Sequence, residues 1–211
     1  MEIRSVTITL AVITAAVFVL QIISPAITND FSLVSAEVFS HPWTLLTSIF
    51  LHGGIEHLFY NMFALVLFGL ILEQIIGSKK FFILYFSSGL IASLATIPFY
   101  QSSLGASGAI FGILGALAIL RPRMVVWISF IPMPMFLAVF VWAAIDLFGI
   151  FFPSNIANAA HLAGLGLGVA YGFYLRGNFG ENLFQKKRNS MRISEENFED
   201  WEDNFVKNNY L

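Results

Sequence analysis

The sequence predicts an all-α polytopic membrane protein, a bundle of six transmembrane helices with a short fourth helix. Three observations carry that prediction. Only 24 of the 211 residues are charged, and 13 of these fall in the last 36, Arg176 to Leu211. The first 175 residues hold the other 11, where a soluble domain has about a quarter of its residues charged. Hydrophobic residues make up 57% of the chain, mean hydropathy is +0.78, and the apolar residues cluster in long runs. A soluble globular enzyme is excluded on these grounds. So is a disordered chain, which needs low hydrophobicity and high charge.

A helix crosses a bilayer with about 20 apolar residues. The first run is Ser5 to Ile23. One Arg precedes it and no small-residue cleavage site stands apart, so it reads as a retained span rather than a cleavable signal. The second run is about Ile55 to Ile76, ended by Gly77 and Lys79-Lys80. The third is Phe81 to Tyr100. The fourth, Ser107 to Leu120, has only 14 residues and is closed by Arg121-Pro122-Arg123. The fifth starts near Pro134, because proline suits a first helical turn, and ends near Gly149. The sixth is about Asn155 to Leu175. The runs are too long to be strands and do not alternate.

Residues 1–175 are thus expected to form the membrane domain, and 176–211 a polar tail. In the tail, Phe198, Trp201 and Phe205 would share one face of a short acidic helix. Lys and Arg placement orients the bundle. Arg4, Lys79, Lys80, Arg121, Arg123 and Arg176 all fall on one side, and the opposite loops (24–54, 101–106 and 150–154) contain neither residue type. The expectation is a multi-pass protein of the cell membrane with both termini cytoplasmic. A net charge of −2 offers no basic surface for nucleic acid. The absence of cysteine removes disulfides and thiolate chemistry.

Polar groups inside a membrane are expensive and are therefore functional candidates. Ser107 stands where a loop becomes the fourth helix, between Gly105 and Gly108. The first amides of that helix lack intrahelical partners and carry the positive end of its dipole. A serine there can be a nucleophile whose own N–H helps bind an oxyanion. It can equally be an N-cap. In the sixth run, Gly164, Gly168 and Gly172 lie within about 60° of the His161 direction at about 100° per residue. The fourth run has Gly108, Gly112 and Gly115. Small residues let two backbones approach closely, so Ser107 and His161 can meet. Helix rise places both about 9 Å beneath the outer surface, which requires a water-lined cavity. His57 and Asn61, four apart on one helix face, can both donate hydrogen bonds to an oxyanion. His52 and His57 are five apart, which is not the zinc-protease spacing, so no metal is expected.

Together, His52-Gly53-Gly54 through His57 and Asn61, Gly105-Ala106-Ser107-Gly108, and Ala160-His161 with Gly164 and Gly168 resemble the rhomboid family of intramembrane serine proteases. The likeness runs in order from about His41 to Leu175. It implies Ser107 as nucleophile and His161 as general base, acting as a dyad without a cofactor. It implies His57, Asn61 and the Ser107 N–H as oxyanion donors. Gly105, Gly108, Gly164, Gly168 and His52 would be structural supports, and Phe111 would pack under the histidine where many members have Tyr. Trp43-Thr44 stands where the family's first outer loop often has Trp-Arg, and the missing Arg bears on loop anchoring or lipid contact. The resemblance further suggests substrate access beside the fifth helix, with Trp142 and Phe148 as a gate. Lipid-facing aromatics read equally well there.

The expected reaction is hydrolysis of a transmembrane protein substrate near the outer side of the bilayer, with membrane lipid as the other partner. No acid is expected to orient His161; Glu73 and Asp146 read as structural or interfacial. The rival readings are a non-catalytic rhomboid-like binding module, which would be expected to lose the serine or the histidine, and a transporter, which would favour polar rows and an internal repeat.

Overall fold

The computed structural model describes residues 5–128, 130–152 and 156–177. The chain divides into two compact units, Met1–Phe173 and Tyr174–Leu211; the fold below is that of the first. The expected acidic helix around Phe198, Trp201 and Phe205 lies outside the described residues, as do Arg4 and Asn155.

Helix α1 (Val6–Ile23) leads through Ser24 into the short α2 (Pro25–Phe31). A two-residue strand β1 (Leu33–Val34) and the one-turn helix α3 (Thr44–Thr47) follow. Helix α4 (Ile55–Ile76) and α5 (Ser78–Thr96) meet at Gly77, whose φ of +81° turns the chain. Strand β2 (Ser102–Ser103) then precedes α6 (Ser107–Leu120). A hairpin of β3 (Val125–Ile128) and β4 (Ile131–Pro134) joins α6 to α7 (Met135–Gly149), and α8 covers 158–177. Helices α1 and α4 are each long and apolar enough to cross a membrane; α6 and α7 are shorter apolar helices.

The elements depart from the sequence reading chiefly at both ends of α5, which stops at Thr96 rather than Tyr100, and in the link after α6. α5 starts at Ser78, before Lys79 and Lys80, because lysines in a first turn can extend their stems and keep their ammonium groups at the polar boundary. The link between α6 and α7 is an antiparallel ladder, with Val125 opposite Pro134 and Ile128 opposite Ile131. Val, Trp and Ile favour strand there once the helix has stopped at Arg121. Val125, Trp127, Phe130 and Ile131 of this hairpin are exposed.

The core is organised around α6. Ten of its 14 residues are buried, from Gly108 to Ala118, and a helix apolar on every side belongs at the centre of a bundle. Its glycines set the packing. A methyl group at Gly108 would collide with Ala92 Cβ of α5, and one at Gly112 with the Ser88 side chain. On the other side, a methyl at Gly164 would collide with the Gly108 carbonyl and one at Gly168 with the Gly112 carbonyl. α6 and α8 thus touch backbone to backbone, as small-residue interfaces allow.

At the opposite end Glu73 ties three segments together. Its carboxylate accepts from Ser5 Oγ at 2.7 Å, Val6 N at 2.8 Å, Thr7 N at 2.9 Å and Ser78 Oγ at 2.7 Å. The first amides of α1 are orphan donors, and the carboxylate of α4 satisfies two of them. Hydrogen bonds to a charged group contribute about 1.5–3 kcal/mol each. Glu73→Ala is expected to lower stability by at least about 2 kcal/mol, measured as a fall in Tm in detergent, with Glu73→Gln intermediate.

Candidate active site

The turn that carries Ser107 is fastened from several sides. β1 pairs with β2, placing Leu33 opposite Ser103 and Val34 opposite Ser102. Ser35 N donates to Gln101 O at 2.9 Å, and Gly105 N donates to Ser48 O at 2.9 Å. Gly105 has φ +127°, and a Cβ there would stand 2.8 Å from Cε1 of His57. Two independent reasons thus select glycine: a left-handed backbone and the ring pressed against it.

The structure brings Ser107 and His161 together. Ser107 Oγ lies 2.9 Å from His161 Nε2, across the α6–α8 seam. Phe111, one turn after Ser107, stacks on the imidazole with ring centroids 4.2 Å apart and planes 9° apart. Both Ser107 and His161 are half-buried. Beside them is a pocket of about 30 Å³ whose lining includes Ser93, Thr96, Ser103, Gly105, Ser107 and Gly108. That is room for a water molecule among polar groups.

Sequence reasoning missed the third member of this cluster. Asp146 of α7 places Oδ1 3.0 Å from His161 Nδ1, so an acid does stand against the imidazole, contrary to expectation. Asp146 is 5% exposed. An aspartate 15 residues before a histidine, on a different helix, has no spacing signature; its signal was only its presence within an apolar run. Tyr100 was missed too. Its hydroxyl accepts from Ala159 N at 3.4 Å, satisfying an amide at the start of α8.

His57 sits beside the Ser107 turn. Its Nδ1 accepts from Gly53 N at 3.4 Å, leaving Nε2 as the ring's donor position, and it is Nε2 that lies against Gly105. Asn61 is buried, and its amide donates one hydrogen to the His57 carbonyl at 2.8 Å, with the second hydrogen of that amide still to donate. His52 is 2% exposed and packs edge-on against His57, with centroids 4.9 Å apart. Gln21 of α1 holds its backbone, accepting from His52 N at 3.0 Å and donating to His52 O at 3.3 Å. Burial, helped by the neighbouring His57, pushes the His52 imidazole down to about 4. Trp142 rests edge-on against Phe68 of α4, and Phe148 is 69% exposed. In the loop before α4, buried Thr44 donates from its hydroxyl to His41 O at 2.7 Å, and Trp43 packs edge-on against the His41 ring. The loop thus has anchors of its own without an Arg.

A helical membrane bundle with a hydroxyl hydrogen-bonded to an imidazole beside a wet pocket is the class these features define. The Rhomboid domain family model matches residues 40–178, and the chain belongs to that family of membrane proteins. It is 39% identical over 152 residues to Rhomboid protease GluP of Bacillus subtilis (strain 168), covering 67% of this chain and 28% of that protein. It is 33% identical over 163 residues to the mitochondrial Rhomboid protein 1 of Saccharomyces cerevisiae, covering 70% of this chain and 46% of that protein. It is also 38% identical over 77 residues to Inactive RHOMBOID-like protein 8 of Arabidopsis thaliana, covering 36% and 22%. The chain spans less than half the length of these relatives.

Two outcomes follow from this geometry. Gly105→Ala is expected to strain the turn by about 1–3 kcal/mol and to displace His57, seen as a lower Tm. For His52, the folded value lies below the free value, so the unfolded chain binds more protons between pH 6.5 and 4. The contribution is complete above pH 6.5 and is lost as pH falls toward 4. Lowering pH from 7.5 to 5 is expected to cost about 2 kcal/mol, or roughly 4–8 °C in Tm, with a smaller fall in His52→Gln.

Proposed function

We propose that this protein is an intramembrane serine endopeptidase that cleaves a transmembrane protein substrate near the outer side of the bilayer. The observation that carries the reading is the 2.9 Å contact between Ser107 Oγ and His161 Nε2, held by interlocked glycines next to a pocket that admits water. In this reading α1, α4, α5, α6, α7 and α8 are six spans, with α6 the short fourth. Both termini face the cytoplasm and the Ser107 end of α6 faces outward, following the Lys and Arg segregation. Membrane lipid surrounds the bundle.

Ser107 Oγ attacks the scissile carbonyl carbon as its proton passes to His161 Nε2. The oxyanion that forms is held by the Ser107 N–H, at the positive end of the α6 dipole, and by the His57 ring. Asn61 joins them through the amide hydrogen that is not donated to the His57 carbonyl. The imidazolium then gives its proton to the leaving amine, the carbon–nitrogen bond breaks, and an acyl-enzyme remains. Water from the pocket, deprotonated by His161, hydrolyses it. The substrate approaches beside α7, where Trp142 seals the seam against Phe68 and Phe148 is exposed. Gly105, Gly108, Phe111, Gly164, Gly168 and His52 hold this geometry.

The test is cleavage of a labelled single-span substrate in reconstituted membranes. Ser107→Ala and His161→Ala are each expected to reduce kcat/KM by at least about a thousandfold. His57→Ala is expected to cost about a hundredfold, and Asn61→Ala less. Equal cleavage by wild type and the Ser107 and His161 variants would refute the assignment. Substrate capture without cleavage by any of them would favour the binding-module reading instead.

A further inference from the structure

We propose that Asp146 is a positioning residue for His161: the carboxylate from α7 orients the imidazole of α8 toward Ser107 of α6, and the proton transfer stays between serine and histidine. The inference rests on the protease reading and deepens it.

The carboxylate is held in an unusual way. Asp146 Oδ1 has the His161 ring at 3.0 Å, while Oδ2 is buried with no hydrogen-bond partner among the described residues. The two side chains are 7% and 13% exposed. A buried carboxylate with an unsatisfied oxygen is costly unless positive charge stands beside it. A position where positive charge forms during turnover meets that condition, and the ring of a general base is such a position.

The contact also dictates where the ring proton sits. An ionised carboxylate only accepts, so Nδ1 must carry the hydrogen and donate it. Nε2 is then bare and can accept from Ser107 Oγ–H. A ring with its hydrogen on Nε2 would donate toward Ser107 and could not take its proton. Phe111 fixes the ring plane by stacking and Asp146 fixes rotation within that plane, so the ring is held by two different contacts. The groups facing the ring are Ser107 from α6, Asp146 from α7 and, through its electrostatic influence, His57 from α4.

When Ser107 attacks, its proton moves to Nε2 and the Nδ1 hydrogen stays where it is. The ring becomes imidazolium and the carboxylate remains an anion, giving a neutral pair inside the bundle. When the leaving amine takes the Nε2 proton, the starting arrangement returns. Asp146 neither gains nor loses a proton.

Two readouts test this. In protein carrying [15N]histidine, with the His161 signals assigned by their loss in His161→Ala, the neutral ring is expected to be protonated at Nδ1. In Asp146→Asn that preference is expected to be lost. In the reconstituted assay, Asp146→Asn is expected to lower kcat at least about a hundredfold with KM changed less than about threefold, and Asp146→Glu to recover part of the loss. A wild-type ring protonated at Nε2 would overturn the inference without Asp146→Asn needing to fold. So would an unchanged Nδ1 preference in Asp146→Asn, or unchanged kcat in that variant beside an active wild type. If the wild type cleaves nothing in a Ser107-dependent way, the protease reading fails, and the tautomer comparison still decides whether Asp146 positions the ring.

Discussion

The interlocking of α6 with α8 is the constraint on which the rest of this structure depends. Gly164 and Gly168 seat against the carbonyls of Gly108 and Gly112, leaving no room for a side chain at either, while Ala92 and Ser88 of α5 close off Gly108 and Gly112. Packing between helices in lipid gains little from hydrophobicity, because lipid tails are as apolar as leucine; close van der Waals contact has to replace it. The same closeness decides the chemistry. A serine side chain is short, and its oxygen meets an imidazole on another helix only if the two backbones nearly touch.

That closeness would be of little use if the serine turn could drift. The turn is held from the segment between α1 and α4 by the β1–β2 pairing and by the Gly105 to Ser48 hydrogen bond. It is held from α4 by the His57 ring packed against Gly105. His57 in turn rests on His52, whose backbone is gripped by Gln21 of α1. Residues distributed over the first 110 positions thereby converge on one turn.

Much of this was legible in the chain and some was not. Helix α6 could be read to the residue, because glycine-serine opens it and Arg121 followed by proline closes it. The meeting of Ser107 with His161 was legible because glycine spacing put the small faces and the histidine on one side of α8. The β3–β4 hairpin was not legible, since Val125 to Ile128 reads as a continuation of apolar sequence and only pairing reveals it. The Asp146 contact was invisible for another reason: it depends on how α7 is rotated, and a helix with apolar residues on nearly every side carries no periodic mark of that rotation. Asn61 shows the converse, since its helix face could be read from spacing while its hydrogen bond to the His57 carbonyl could not.

The Glu73 cluster has a consequence for how the molecule is assembled. α1 precedes α4 in the chain and so emerges before it during synthesis, yet the donors at its leading edge are satisfied by a side chain 66 to 68 positions further on. Until α4 arrives, those amides must be solvated by water or lipid headgroups. α1 can therefore thread the bilayer before α4 but docks only after it, and a single carboxylate, fastened also to the first residue of α5, acts as the latch that registers the completed hairpin against it.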